Sequence, residues 1–179
     1  VSNNHKKKII KKLNKISDNK KILFAKIDSS FKKNGKLNYG EIFIPGFSKK
    51  EIFLSTYICH PSMANNELSG PLVAIALVNY FQKKKNYYSI RVIFIPETIG
   101  AISYIEKNLI NLKKNVIAGY NLTCLGDNNN YSFLPTKYKN SISDRAARKA
   151  FDKLKIKYKE YSFLKRGSDE RQYNSPGID

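Results

Sequence analysis

Hydrophobic and polar positions along the chain alternate between helix-like and strand-like spacing. HKKKIIKKLNKI, beginning at residue 5, places Ile9, Ile10, Leu13 and Ile16 on one stripe among lysines, which predicts an amphipathic helix. ILFAKI (22–27) reads as a strand, SSFKKNGK (29–36) as a turn on Asn34-Gly35, and LNYGEIFIPG (37–46) as the returning strand of a hairpin. EIFLSTYIC (51–59) is apolar on both faces, the pattern of a central strand. SGPLVAIALVNYF then predicts a helix from Ser69 to about Lys84, YYSIRVIFIP (87–96) a strand and GAISYIEKNLINL (100–112) a helix. VIAGYNLTCLG (116–126) predicts a third central strand. SFL (132–134) is at best a short strand, SISDRAARKAFDKL (141–154) a helix capped by Ser141 or Ser143, YKEYSF (158–163) a strand and KRGSDERQY (165–173) a loop or short helix.

Strands and helices alternate from residue 51 onward. The pattern predicts an α/β fold of three layers: a mixed, mostly parallel central sheet with helices on both faces. The domain reading is a basic helical arm at 1–21 followed by an α/β domain at 22–179.

Composition narrows the class. The 179 residues are 41% hydrophobic and 12% aromatic, enough for a core and too apolar for a disordered chain. No apolar run reaches the roughly 18 residues of a membrane span, and the basic start lacks the apolar core of a signal peptide. The cysteines, Cys59 and Cys124, fall within apolar runs and are expected to be buried thiols of a reducing cytoplasm; Cys59, beside His60, stays open as a neighbour of a site.

A formal charge of +19 suggests nucleic acid or an anionic surface as partner. Only five of the 33 basic residues are Arg, however, and no nucleic-acid motif is present. A chain rich in Lys, Asn and Ile also follows from AT-rich coding, so a generic solvated surface is the expected reading. Polyanion binding through residues 5–21 stands as a third hypothesis. The sequence begins at Val1 without Met and stops at SPGID, where a turn should release another strand, so a fragment of a longer protein is expected.

Candidate chemistry collects at three strand ends: Cys59-His60, Pro96-Glu97-Thr98 and Gly126-Asp127. Parallel strands bring such ends to one rim, where open sheets carry their sites. Asn66 and Glu67 at the following helix mouth and Asp169-Glu170 in the last loop add polar groups. One imidazole with several carboxylates suits zinc or a similar divalent ion. Each residue also has an ordinary role: a loop histidine, helix-start carboxylates at Glu67 and Glu97, a turn former at Asp127, a solvated pair at Asp169-Glu170. There is no Gly-x-Ser-x-Gly elbow, phosphate loop, Rossmann glycine pattern or CxxC pair.

The segments KIDSSFKKNGKLNYGEIFIPG, STYICHPSMANNELSGP, FIPETIGAISYI, LTCLGD and RGSDERQYNSPGID resemble the bacterial aminopeptidase-like proteins, which are built on the zinc aminopeptidase (di-zinc exopeptidase) fold. The resemblance runs from Asp28 to Asp179 and implies further chain on both sides, including a downstream His-Thr-Ser segment with a candidate metal histidine. It matches His60 to the first metal histidine and Glu97 to the general base. It also exposes departures. The bridging aspartate of the family falls on Asn66, with a carboxylate one place on at Glu67. The metal glutamate beside the base falls on Thr98, and a later ligand aspartate falls on Thr123. Asp169 resembles a polar residue of the site rim.

Asn and Thr are poor zinc ligands, so the resemblance implies one zinc ion rather than two. Its expected ligands are His60 and Glu67, with Asp127 or Asp169, and the downstream histidine. Asn66, Asp127, Asp169 and Glu170 are expected on the rim or against substrate. The function implied is zinc-dependent hydrolysis of a peptide or small amide-like substrate, a metal-activated water attacking the carbonyl with Glu97 as base. The alternative is an aminopeptidase fold that has lost catalysis and binds a small ligand or sugar intermediate.

Overall fold

The computed structural model describes residues 2–22, 24–175 and 178. The chain divides into two units, residues 1–35 and 36–179. The first contains α1 (Asn3–Leu13), whose N-cap Ser2 accepts a hydrogen bond from the His5 N–H, and a single 3-10 turn at Asp18–Lys20. α1 buries none of its residues. The strand expected at 22–27 does not form among the described residues, and Phe24 and Ile27 are exposed. Residues 32–35 close a turn, Gly35 N–H to the Lys32 carbonyl, without strands on either side. A hairpin signal in the turn is not enough when the following strand has a better partner.

That partner lies in the second unit. Its elements are β1 (Gly40–Ile44), β2 (Ser48–Tyr57), α2 (Ser69–Phe81), β3 (Tyr88–Ile95), α3 (Ile99–Asn115), β4 (Val116–Asn121), β5 (Tyr131–Phe133), α4 (Ile142–Lys153), β6 (Tyr158–Glu160) and α5 (Glu170–Asn174). The main sheet has the order β1-β3-β2-β4. β2 runs parallel to β3 and β4, and β1 is antiparallel to β3, pairing Ile44 with Ile90 and Gly40 with Phe94. The mixed, mostly parallel sheet read from the sequence is therefore the observed one, with β2 central. β5 and β6 form a separate parallel pair.

The period of two along the strands divides the core between the faces. Phe53, Ile93 and Ile95 face Ala101, Tyr104, Ile105 and Leu112 of α3 and Tyr173 of α5. Leu54, Ile90 and Val92 face Ala74 and Val78 of α2. Each of the Val, Leu, Ile and Phe side chains among them contributes roughly 1.5–3 kcal/mol on burial. The first face also carries a polar clamp for the antiparallel strand: Arg91 engages Glu51 through Nε (2.6 Å) and Nη2 (3.0 Å), contacts Glu41 through Nη1, and Tyr104 donates to Glu41 at 2.8 Å.

Glycines let both crossover helices start hard against the sheet. A Cβ on Gly70 would lie 2.2 Å from the Leu122 carbonyl oxygen and 2.4 Å from Thr56 Oγ1. A Cβ on Gly100 would lie 2.6 Å from Ile95 Cγ1. The helix openings are thereby held close to the carboxyl ends of β2, β3 and β4. No helix among the described residues is long and apolar enough to cross a membrane. The turn expected at Pro176-Gly177 lies outside the described residues.

Candidate metal and catalytic site at the strand ends

β2 ends at Tyr57, and the chain continues beside β3 for one more residue through the Ile58 N–H bond to the Ile95 carbonyl (3.1 Å). Cys59 and His60 then stand beyond the sheet. Both cysteines were expected inside strands; both are exposed, because β2 ends at Tyr57 and β4 at Asn121, short of Cys59 and Cys124. Cys124 has a φ of 53°, which a strand cannot contain.

Pro61 closes off further pairing, and a single π turn at Ala64–Leu68 leads into α2. That turn swings Glu67 back over the end of β2, where it is buried. Glu67 Oε2 accepts the Cys59 backbone N–H at 2.9 Å, and Oε1 contacts His60 Nδ1 and lies 3.6 Å from Cys59 Sγ. Sγ in turn lies 3.1 Å from His60 Nδ1. π turns interrupt regular helices at functional sites often enough to make this one informative.

β3 delivers Glu97 from the other side. Its Oε2 lies 3.7 Å from His60 Nε2, so the imidazole sits between two carboxylates. The Glu97 N–H donates to Cys59 Sγ at 3.2 Å, and Ser168 Oγ donates to Glu97 Oε1. Donor atoms of Cys59, His60 and Glu97 all lie within 4.8 Å of one another.

The turn that mounts Glu97 is strained. Thr98 has φ 61° and ψ −74°, and the Ile99 N–H bonds the Glu97 carbonyl at 2.8 Å. This is a γ-turn with positive φ, unfavourable for a β-branched residue. The Thr98 N–H is taken by Asp169 Oδ1 at 2.7 Å. Asp169 is fully buried, and burial pushes its carboxyl up to about 6; the Thr98 N–H opposes the shift, while Glu97, Glu170 and Glu67 add to it.

β4 completes the rim. Asn121 Nδ2 donates to Glu170 Oε2 at 3.0 Å, and Glu170 Oε1 accepts the Ser168 N–H. The hydroxyls of Tyr57 and Thr123 are hydrogen-bonded, and Asn66 Nδ2 lies 3.5 Å from the Tyr57 oxygen. Burial raises the Tyr57 phenol above its ordinary range, against the Thr123 hydrogen bond. Desolvation likewise raises the Cys59 thiol, with the Glu97 N–H pulling it back.

The structure thus brings together His60, Glu67 and Glu97, with Asn66, Asp169 and Glu170 around them. Asp127 makes a different contact: its Oδ1 accepts from the Asn129 N–H (2.8 Å) and Nδ2 (3.0 Å), a local turn. Sequence reasoning overlooked Ser168 and Tyr57. Ser168 was detectable as the neighbour of Asp169 in the GSDERQY segment, whereas nothing local marks Tyr57.

The donor set fits zinc in kind: an imidazole flanked by carboxylates with a thiol beside it. Among the described residues, Asp169 Oδ2, Asn66 Oδ1 and Asn121 Oδ1 of the rim are buried acceptors without a donor. Buried acceptors ordinarily find a donor or a cation, so the rim is suited to receive one.

The comparisons with known proteins agree with this architecture. A Clostridium acetobutylicum protein, named a candidate polysaccharide biosynthesis protein with an aminopeptidase-like domain, is 41% identical over 152 residues, covering 85% of this chain and 35% of that protein. A crystal structure of a candidate peptidase from Clostridium acetobutylicum superposes with a TM-score of 0.74 at 40% identity, over 78% of this chain and 33% of that one. The chain thus spans about a third of the length of these relatives. A glutaminyl cyclase from an Acidobacteriales bacterium shares the fold, with a TM-score of 0.62 at 16% identity over 79% of this chain and 56% of that one. An aminopeptidase-like, peptidase-type fold is what these similarities support. Residues 6–179 match the family described as a domain of unknown function, DUF4910, and the chain belongs to that family.

Proposed function

We propose that this domain forms part of a zinc-dependent hydrolase of the aminopeptidase-like class, with His60 and Glu67 holding one ion and Glu97 acting as general base. The observation that carries the reading is the placement of His60 between Glu67 at Nδ1 and Glu97 at Nε2. Zinc there would polarise a carbonyl and acidify a water molecule. Ser168 occupies Glu97 Oε1 and leaves Oε2 on the His60 side, free to take a proton from the attacking water. Asp169 holds the turn beneath Glu97. The free thiols of Cys59 and Cys124 agree with a reducing, cytoplasmic setting.

The test uses the full-length protein, loaded with zinc and dialysed. About one ion per chain and amide hydrolysis are expected. Glu97→Gln should lower turnover by about 10²–10⁴-fold at unchanged zinc content. A protein that retains no stoichiometric metal, or hydrolysis indifferent to Glu97→Gln, refutes the reading.

A second reading has its own support: Asn66, Thr98 and Thr123 stand where the aminopeptidase pattern has carboxylates, and Thr123 is engaged by the Tyr57 hydroxyl. It is a module that binds a small ligand or sugar intermediate without turnover. Hydrolysis that depends on Glu97 excludes it.

A further inference from the structure

Zinc hydrolases typically hold the ion with three protein ligands and leave one position open. His60 and Glu67 supply two. Of the groups expected to supply the third, Asp127 is spent on its local turn, Asp169 is tied through Oδ1 to the Thr98 N–H with only Oδ2 unpaired, and the expected histidine is not among the described residues. A different donor stands in position. We propose that Cys59 is the third protein ligand, so that the ion is held by a thiolate, an imidazole and a carboxylate.

The donor spacing carries the proposal. Sγ of Cys59 lies 3.1 Å from His60 Nδ1 and 3.6 Å from Glu67 Oε1, and Nδ1 and Oε1 are themselves in contact. Tetrahedral zinc with ordinary bonds to sulfur, nitrogen and oxygen separates its donors by about 3.3–3.7 Å. The three atoms form one face of such a site once the Nδ1–Oε1 pair separates by about 1 Å. Glu97 Oε2 lies toward Nε2 of the same ring, outside this face.

One backbone donor is in place to support a metal-bound sulfur. The Glu97 N–H points at Sγ from 3.2 Å, an N–H···S contact of the kind that supports metal-bound sulfur. Glu67 Oε2 fixes the residue through its backbone N–H at 2.9 Å. On binding, the S–H bond gives its proton to solvent as the sulfur–metal bond forms. A soft donor selects zinc over magnesium or calcium.

This inference rests on the metal-dependent reading above, and cobalt(II) separates the two. Full-length protein titrated with cobalt should take up about one ion and develop a near-ultraviolet thiolate-to-cobalt charge-transfer band. Cys59→Ser should remove the band and weaken cobalt binding about tenfold or more. Cys124→Ser should keep both, and circular dichroism verifies that each variant is folded. Stoichiometric cobalt without the band, or a band that survives Cys59→Ser or disappears with Cys124→Ser, overturns the assignment of Cys59 and leaves the hydrolase reading standing. If the wild-type protein binds neither cobalt nor zinc, both fall together.

Discussion

The buried carboxylate of Asp169 accepts a 2.7 Å hydrogen bond from the backbone N–H of Thr98, a residue 71 positions earlier in the chain. The bond holds the peptide at φ 61° and ψ −74°. A non-glycine residue in such a conformation costs on the order of 1–3 kcal/mol and persists only where its surroundings determine it. Here the consequence is the placement of Glu97, the residue just before the strained one. Asp169 is in this sense a positioning residue.

Removing that carboxylate should relax the turn. Asp169→Ala is expected to lower turnover at least about tenfold while zinc content is retained, because Glu97 loses its register and His60 keeps its own partners. Asp169→Asn, which can still accept the Thr98 N–H, should recover part of the loss. Steady-state kinetics with metal analysis distinguish this from unfolding.

The same group sets a pH dependence. Its folded value of about 6 lies above the ordinary 3.8, so between those values the folded chain binds more protons than the unfolded one. Stability contributed by the protonated carboxyl is present below about 4 and is lost as pH rises through about 6. The loss is on the order of 2–3 kcal/mol. Urea denaturation of the metal-free protein at several pH values should show this decline, and Asp169→Asn should be flatter over the same interval.

Glu67 joins three polar contacts at one point. Glu67→Ala would leave the Cys59 N–H and the His60 ring without their acceptor. Stability should fall by about 0.5–1.5 kcal/mol, the net worth of a lost hydrogen bond whose donors can turn to water. Zinc affinity should fall by about 10–100-fold or more. Calorimetric zinc titration and chemical denaturation read the two effects separately.

A pair of glycines tests how tightly the helices are set on the rim. Gly70→Ala drives a Cβ to 2.2 Å from the Leu122 carbonyl oxygen, which belongs to the backbone and cannot step aside cheaply. A loss of about 1–3 kcal/mol is expected. Gly119→Ala meets nothing closer than 3.6 Å and should change stability by no more than about 0.5 kcal/mol. Thermal melting of the two variants side by side checks the contrast.

Much of the domain was legible in the chain itself. The apolar run at 51–59 identified β2 as central, and the alternation after it specified helices between parallel strands, because burying a period-two face and a period-3.6 stripe leaves few arrangements. His60, Glu67 and Glu97 were readable for the same reason: parallel strands carry their carboxyl ends to one rim.

Local pattern failed where a distant partner decided the outcome. Residues 22–27 have strand composition yet form no strand, while β1 pairs with β3 in a register no local signal encodes. Cys59 looked buried because apolar sequence runs on past the point where β2 stops pairing. Asn66 and Thr123 were read as lost ligands, and only the fold shows them gathered on the Tyr57 hydroxyl.

The sequence by itself determined the order of strands and helices and the residue types at their ends, since these follow from local periodicity and backbone stereochemistry. Only the tertiary structure decided which side chains meet. The contacts of Asp169 with Thr98, Ser168 with Glu97 and Arg91 with Glu51 each span 40 residues or more. Such contacts depend on how the sheet and its helices pack as a whole, and no local stretch of sequence contains that information.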